Sequence, residues 1–223
     1  MHFFYLCTMI QIAKFTFNPF QENTYILHDE TKECVIIDPG CQSKAEQEKL
    51  SAFIEREGLK PVLLLNTHAH VDHVFGNYFV HKNYQLELGL HQLDLPTLQL
   101  VPRACMMYGI QDFELSPEPG YYLEEGKNII FGNSELEVFF TPGHAPGHVV
   151  FYSSADGFVI NGDVLFEGSY GRTDLPGGDF DTLKKSITEK MFTLPEETVV
   201  FSGHGGETTI GREKNSNPIL RGW

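Results

Sequence analysis

Within ten residues, Leu64-Leu65-Asn66-Thr67-His68-Ala69-His70-Val71-Asp72-His73, an apolar run gives way to three imidazoles and a carboxylate. His68 and His70 are two apart and point to one side of an extended segment, while Asp72 and His73 fall on the turn and the start of a following helix. One such loop can feed two neighbouring metal ions. Three further segments each end a predicted strand with a ligand-capable residue placed after a glycine: His144 in Thr141-Pro142-Gly143-His144, Asp163 in Asn161-Gly162-Asp163, and His204 in Ser202-Gly203-His204-Gly205. The glycine lets backbone pack close to an ion. Five imidazoles and two carboxylates, with no cysteine among them, suit borderline divalent cations and admit zinc, iron or manganese without choosing between them. Two such ions roughly 3.5 to 4 Å apart can share a water, lower its pKa toward neutrality and polarise the carbonyl it attacks.

The elements that must hold these residues alternate between strand and helix. Met9 to Phe17, Asn23 to His28 and Cys34 to Ile37 are rich in β-branched and aromatic residues and bounded by breakers, so they read as a three-stranded meander ending at Asp38-Pro39-Gly40. Ser43 and Glu46 form a capping box for a helix that runs to Gly58. A covered strand at Val62 to Leu65 follows and releases the ligand loop at its end. Leu86 to Gly89 reads as a strand and Leu90 to Ile110 as one or two helices broken at Pro96 and Pro102, able to cover the site. Pro117, Pro119 and Gly120 mark a loop before a second half. There, strands at Asn128 to Phe131 and Glu135 to Phe140 turn at Gly132-Asn133, and strands at His148 to Ser153 and Gly157 to Ile160 pair antiparallel. A helix at Asp181 to Met191 and a last strand at Thr198 to Phe201 complete it. Two face-to-face sheets with helices outside each would bring the loop ends together along one edge.

Length and composition narrow the class. The chain has 223 residues, which fits one domain, with residues 1–8 read as an upstream extension of the natural start. Lys and Arg number 16 against 30 Asp and Glu, a formal charge of -14, which argues against a nucleic-acid footprint, since phosphate binding needs clustered cations. Cys7, Cys34, Cys41 and Cys105 show no CxxC pairing and read as small buried hydrophobes in a reducing cytoplasm. The apolar start lacks a basic leader and is far short of a membrane span, so no membrane partner is expected. No repeat or low-complexity tract points to a solenoid or a disordered tail.

With the ligand string, the Gly-His, Gly-Asp and Gly-His loops, and the segments Asn23-Thr24-Tyr25, Asp38-Pro39-Gly40, Gly162-Asp163-Val164-Leu165-Phe166, Gly171-Arg172-Thr173-Asp174 and Thr208-Thr209-Ile210-Gly211 in view, the chain resembles the metallo-β-lactamase superfamily. Within it, the resemblance is to the short, single-domain branch of the glyoxalase II-like hydrolases. It implies an α/β fold, a four-layer αββα sandwich, with two divalent metal ions, of which zinc is the expected one and iron or manganese the alternatives. It assigns His68, His70 and His144 to one ion and Asp72, His73 and His204 to the other, with Asp163 bridging and Asp38 buried beneath. It also makes Asp72 and Asp163 the candidate catalytic carboxylates, and it places Arg172 where long glyoxalase II enzymes carry a lysine that contacts glutathione. The neighbouring family tyrosine is replaced by Asp174, and the C-terminal helical domain of the long enzymes has no counterpart, which points away from glutathione as the thiol. Zinc β-lactamases that use a cysteine where Asp163 stands are disfavoured on the same comparison.

The expected activity is hydrolysis of a small thioester, a hydroxyacyl-thiol, by a metal-bridging hydroxide that Asp72 helps to orient; thiolate leaves without a dedicated acid. The alternative is a persulfide dioxygenase with a single iron on His68, His144 and Asp163. Among the remaining histidines, His2, His28 and His81 read as surface residues, and His91 and His148 as candidates for substrate or outer contacts. Arg172 reads equally as a substrate contact or as an ion-pair partner of Asp174 or Asp179. Tyr170, Met106, Met107 and Tyr108 read as packing or as a pocket wall.

Overall fold

The computed structural model describes residues 9–221, so the expectations for residues 1–8, His2 and Cys7 among them, lie outside the described residues. The meander forms as read. Strands β1 (Gln11–Phe17), β2 (Glu22–His28) and β3 (Glu33–Ile37) pair antiparallel, and β4 (Lys60–Leu65), β5 (Leu88–His91) and β6 (Pro119–Leu123) continue the sheet in parallel. Parallel neighbours need crossovers, and here these carry helices: α1 (Lys44–Glu57) before β4, α2 (Val71–Val74) and α3 (Asn77–Tyr84) before β5, and α4 (Leu95–Tyr108) before β6. The α1 capping box is present with both bonds, and Gly58 ends the helix at φ 64°, a left-handed conformation that glycine takes without a Cβ penalty.

The second sheet runs β14 (Thr208–Thr209), β13 (Val199–Ser202), β10 (Phe158–Gly162), β9 (Val149–Ser153), β8 (Ser134–Phe140), β7 (Ile129–Phe131). A small hairpin, β11 (Leu165–Phe166) with β12 (Ser169–Tyr170), stands apart from it. The parallel pair β10–β13 is bridged by α5 (Phe180–Lys185), and α6 (Ile210–Ser216) follows β14.

Strand periodicity explains the layering. On β2, Tyr25 and Leu27 point to one face, where they meet Leu136, Val138 and Phe151 of the other sheet; Ile26 points to the opposite face and packs under Leu50 and Ile54 of α1. The second sheet repeats the arrangement: Val150, Val159 and Val200 turn outward to Leu183, Ile187 and Ile210. The result is helix, sheet, sheet, helix, the αββα sandwich. No helix among the described residues is long and apolar enough to cross a membrane. Cys34, Cys41 and Cys105 are buried free thiols, as their spacing suggests.

Three elements depart from expectation. The Pro-Gly segment predicted as a loop is the edge strand β6, where proline at the first position deprives no neighbour of a hydrogen bond. Helix α4 is not broken: Pro96 sits in its first turn, and the helix runs on through Pro102. Interior proline costs about 3 kcal/mol, and the burial of Leu98, Val101 and Cys105 on either side offsets it. The helix predicted to Met191 leaves α geometry after Lys185 for a π-helical turn, Ser186–Lys190. There the Ser186 hydroxyl donates to the Pro142 carbonyl at 2.7 Å, and Ile187 and Met191 both reach the core.

Candidate metal centre

The ligand loop is shaped from below by Asp38. This residue takes φ 49°, a region a non-glycine side chain rarely occupies, at the point where β3 leaves the sheet. Its carboxylate accepts from the Thr67 N–H at 2.7 Å, the Thr67 hydroxyl at 2.6 Å, the Asn66 amide at 3.2 Å and His73 Nδ1–H at 3.0 Å. The chain leaving β4 is thereby bent around one buried anion. Two further contacts join this loop to the second half: the Val149 N–H donates to the Thr67 carbonyl at 2.8 Å, and Asp94 accepts from the Ala69 N–H at 2.5 Å and the Gly147 N–H at 2.9 Å. On the opposite side, the Asn23 N–H donates to the Gly203 carbonyl at 2.7 Å and the Tyr25 hydroxyl to the Ser202 carbonyl at 2.7 Å, so β2 holds the His204 loop.

The seven predicted ligands come together. His68 Nε2 lies 3.2 Å and His70 Nδ1 2.8 Å from His144 Nε2, with the ligand atoms of this trio within 4.8 Å of one another. Asp72, His73 and His204 form a second trio, with Asp72 Oδ2 3.1 Å from His204 Nε2 and 3.8 Å from His73 Nε2. Asp163 stands between them. Its Oδ2 is 3.5 Å from both His144 Nε2 and His204 Nε2, and its Oδ1 is 3.6 Å from His73 Nε2. A third grouping, Asp38 with His68 and His73, is equally compact. Because the Asp38 oxygens are already occupied by four donors, this residue supports the ligands and is not one of them.

Two observations test whether a metal fits. His73 Nε2 and Asp163 Oδ1 are buried with no hydrogen-bond partner, a costly state for polar atoms that a cation would relieve. The far nitrogens of four imidazoles are tied back. His73 Nδ1–H donates to Asp38, His68 Nδ1–H to the Thr67 hydroxyl at 3.0 Å, His144 Nδ1–H to the Arg172 carbonyl at 2.8 Å and His204 Nδ1–H to the Phe20 carbonyl at 3.1 Å. These bonds leave Nε2 bare toward the centre, the outer arrangement that metal-binding histidines require.

The glycines before the ligands do allow close packing, though against neighbouring loops as much as toward an ion. A Cβ at Gly203 would collide with Asp163 Oδ1, one at Gly162 with Thr67 Oγ1, and one at Gly143 with the backbone of Leu183.

Electrostatics separate the two trios. Burial, with the other imidazoles adding to it, holds His68 well below the usual imidazole range, pushes His70 down to about 3 and lowers His144. Burial acts the same way on His73 and His204, but the carboxylates win: Asp163 and Asp72 raise His73, and the Asp72 hydrogen bond with the Asp163 charge raises His204. For Asp163, the opposite pull of burial is outweighed by His73, and its carboxyl is held far below the ordinary range.

The remaining residues separate clearly. His148 is an outer contact: its Nε2 accepts the Asp163 N–H at 3.1 Å and its ring stacks on His68 at 4.7 Å. His91 is not in the site; it caps the turn after β5 and stacks on Phe140. His28, expected at the surface, is buried, and His81 is half-buried with Nδ1–H donating to the Leu86 carbonyl at 2.7 Å. Arg172, Tyr170, Met107 and Tyr108 line a cavity of about 720 Å³ that opens onto the ligands, whereas Met106 is exposed outside it. The Arg172 guanidinium is held by Asp174 through two bonds of 2.7 Å. Three residues escaped sequence reasoning. Asp94 carried a signal, a lone carboxylate between Leu93 and Leu95. Phe20 carried none, because it acts through its carbonyl. Glu22 is a buried carboxyl, 4.0 Å from His73 Nδ1, and burial pushes it well above the ordinary range.

A four-layer sandwich whose loop ends gather His and Asp ligands in this way defines a metal-dependent hydrolase class. The family model of the metallo-beta-lactamase superfamily matches residues 17–204, and the chain belongs to that superfamily. Among curated relatives, a probable metallo-hydrolase, YqgX of Bacillus subtilis (strain 168), is 41% identical over 92% of this chain and 95% of its own length. Hydroxyacylglutathione hydrolase GloC of Haemophilus influenzae is 35% identical over 90% and 93%. Among solved structures, TTHA1623 in a di-iron-bound form superposes with a TM-score of 0.84 at 40% identity, covering 93% of this chain and all (100%) of that one. BLEG-1, a B3 metallo-beta-lactamase, superposes with a TM-score of 0.84 at 37% identity, covering 95% and 100%.

Proposed function

We propose that the chain hydrolyses a small thioester at a centre of two divalent ions. The observation that carries this reading is the position of Asp163, whose Oδ2 lies 3.5 Å from His144 Nε2 of one trio and 3.5 Å from His204 Nε2 of the other while its Oδ1 faces His73, so that two ions would be held side by side at the end of a substrate-sized cavity. Similarity to a hydroxyacylglutathione hydrolase supports the choice of thioester. When bound, two such ions supply a water of lowered pKa and a Lewis acid for the carbonyl oxygen.

The protein's own groups do the rest. Asp72 turns Oδ2 toward His204 and His73 and lines the cavity, where its carboxylate would orient the attacking water. Thiolate is a stable leaving group, so no proton donor need be held beside the sulfur.

The single-iron dioxygenase alternative uses His68, His144 and Asp163 and leaves Asp72, His73 and His204 without a task, although they are as closely gathered as the first trio. Purified protein should therefore carry two ions per chain by elemental analysis and cleave S-lactoyl thioesters, with β-lactam and glutathione persulfide as comparison substrates. A fully loaded protein that leaves thioesters intact while opening a β-lactam, or consumes oxygen with persulfide on one iron, would overturn the reading.

A further inference from the structure

The cavity beside the ligands has a character that hydrolysis alone does not demand. One wall is α4, which presents Leu100, Ala104 and Met107 at helical spacing, and Leu175 with Pro176 lines it as well. Leu100 is 42% and Met107 78% exposed, apolar surface left open to solvent at the mouth of a site. The charged contribution is small. Apart from the metal-ligand residues, the charged side chains in the lining are Arg103 and Arg172. Arg172 already has a partner in Asp174, and of the two lining cations Arg103 is the one without an ion pair among the described residues. A glutathione moiety, with two carboxylates and an ammonium, would find one unpaired cation and an apolar wall.

From this lining we infer that the substrate carries an apolar arm, a hydrocarbon chain of roughly six to eight carbons, lying along the ~10 Å of α4 between Leu100 and Met107. The inference rests on the thioesterase reading for its reaction, and on the cavity for its chemistry.

Either side of the thioester can supply the arm, and two substrate series distinguish them. One is S-acyl N-acetylcysteamine with acyl chains from two to eight carbons; the other is S-lactoyl thioesters of methanethiol to octanethiol. The metal-loaded protein should show kcat/KM rising roughly fourfold per added methylene in one series until the cavity is filled. Leu100→Gln, at a half-exposed position that tolerates polarity, should flatten that slope, and Leu175→Gln should do so independently. Flat profiles in both series, with S-lactoylglutathione cleaved at least as fast as any member, would overturn the apolar arm and leave thioester hydrolysis standing. If no thioester is cleaved, the hydrolytic reading fails, and calorimetric titration decides the arm by itself: S-octyl N-acetylcysteamine should bind at least 100-fold more tightly than the S-methyl compound, and equal affinity would overturn it.

Discussion

The two ligand trios meet at one carboxylate yet are built on opposite principles. His68, His70 and His144 are neutral imidazoles whose burial keeps them from taking up protons, so this trio is ready for a cation at any pH near neutrality. Asp72, His73 and His204 mix a carboxylate with imidazoles that Asp163 and Asp72 together bias toward the protonated form, so a cation arriving there must compete with a proton. The first trio excludes competitors by burial; the second holds charge in balance among its own members. Neighbouring sites in one cavity can thus differ in when they fill, and the carboxylate between them decides whether they act together.

The strongest test of that link is Asp163→Ala. Both trios lose their shared oxygen donor, so elemental analysis should show depletion of both ions and kcat/KM should fall by more than about 100-fold, the upper end of what outer-contact changes produce. Unchanged content of both metals would refute the bridge. Single-trio variants come next: His70→Ala should lower the ion content at the first trio, and His204→Ala at the second, each to about half of the total; loss of both ions in either variant would mean the trios are one cooperative unit.

Acidification should separate them without mutation. His73 and His204 lie above the ordinary imidazole range, so protons compete for the second trio as soon as pH falls through their raised values, while His70 resists to about 3. Dialysis across that window should remove one ion before the other, as followed by metal content at each pH. Simultaneous loss would break the distinction. The smallest effects are at the outer contacts. Asp38→Asn should weaken the second trio about 10- to 100-fold through His73, and Thr67→Val should weaken the first about 10-fold through His68, both read as metal dissociation constants.

The seven candidate ligands, which the fold does bring together, were legible because each announces itself locally: HxHxDH after an apolar strand, then a Gly-His, Gly-Asp and Gly-His after three more. The αββα order was legible through the family resemblance and through capping signals such as Ser43 with Glu46. Features set by tertiary contact were not. The strand at Pro119–Leu123 has turn composition and pairs only because β5 offers it a parallel edge. Pro102 predicts a break that packing on both sides overrides. His28 looks like an ordinary strand-end histidine, and only the folded chain shows it buried. Asp94 lies far from the ligand loops in sequence, and only the folded chain shows that it grips two of them.

That grip has a mechanical consequence. Asp94 immediately precedes α4, accepts the Thr97 hydroxyl at 3.2 Å within it, and holds the N–H between His68 and His70 together with one just beyond His144. The first turn of the wall helix and the all-histidine trio are therefore one rigid part, like a hinge plate bolted to its frame. Changes of shape near Leu95 to Thr97 would be transmitted to the first trio, and the distal turns are anchored separately, by buried Cys105 and by Tyr108 packed edge-on against Phe20. The wall helix thus touches both halves of the centre, its first turn through Asp94 and its last through Tyr108 on Phe20, whose carbonyl takes the His204 Nδ1–H.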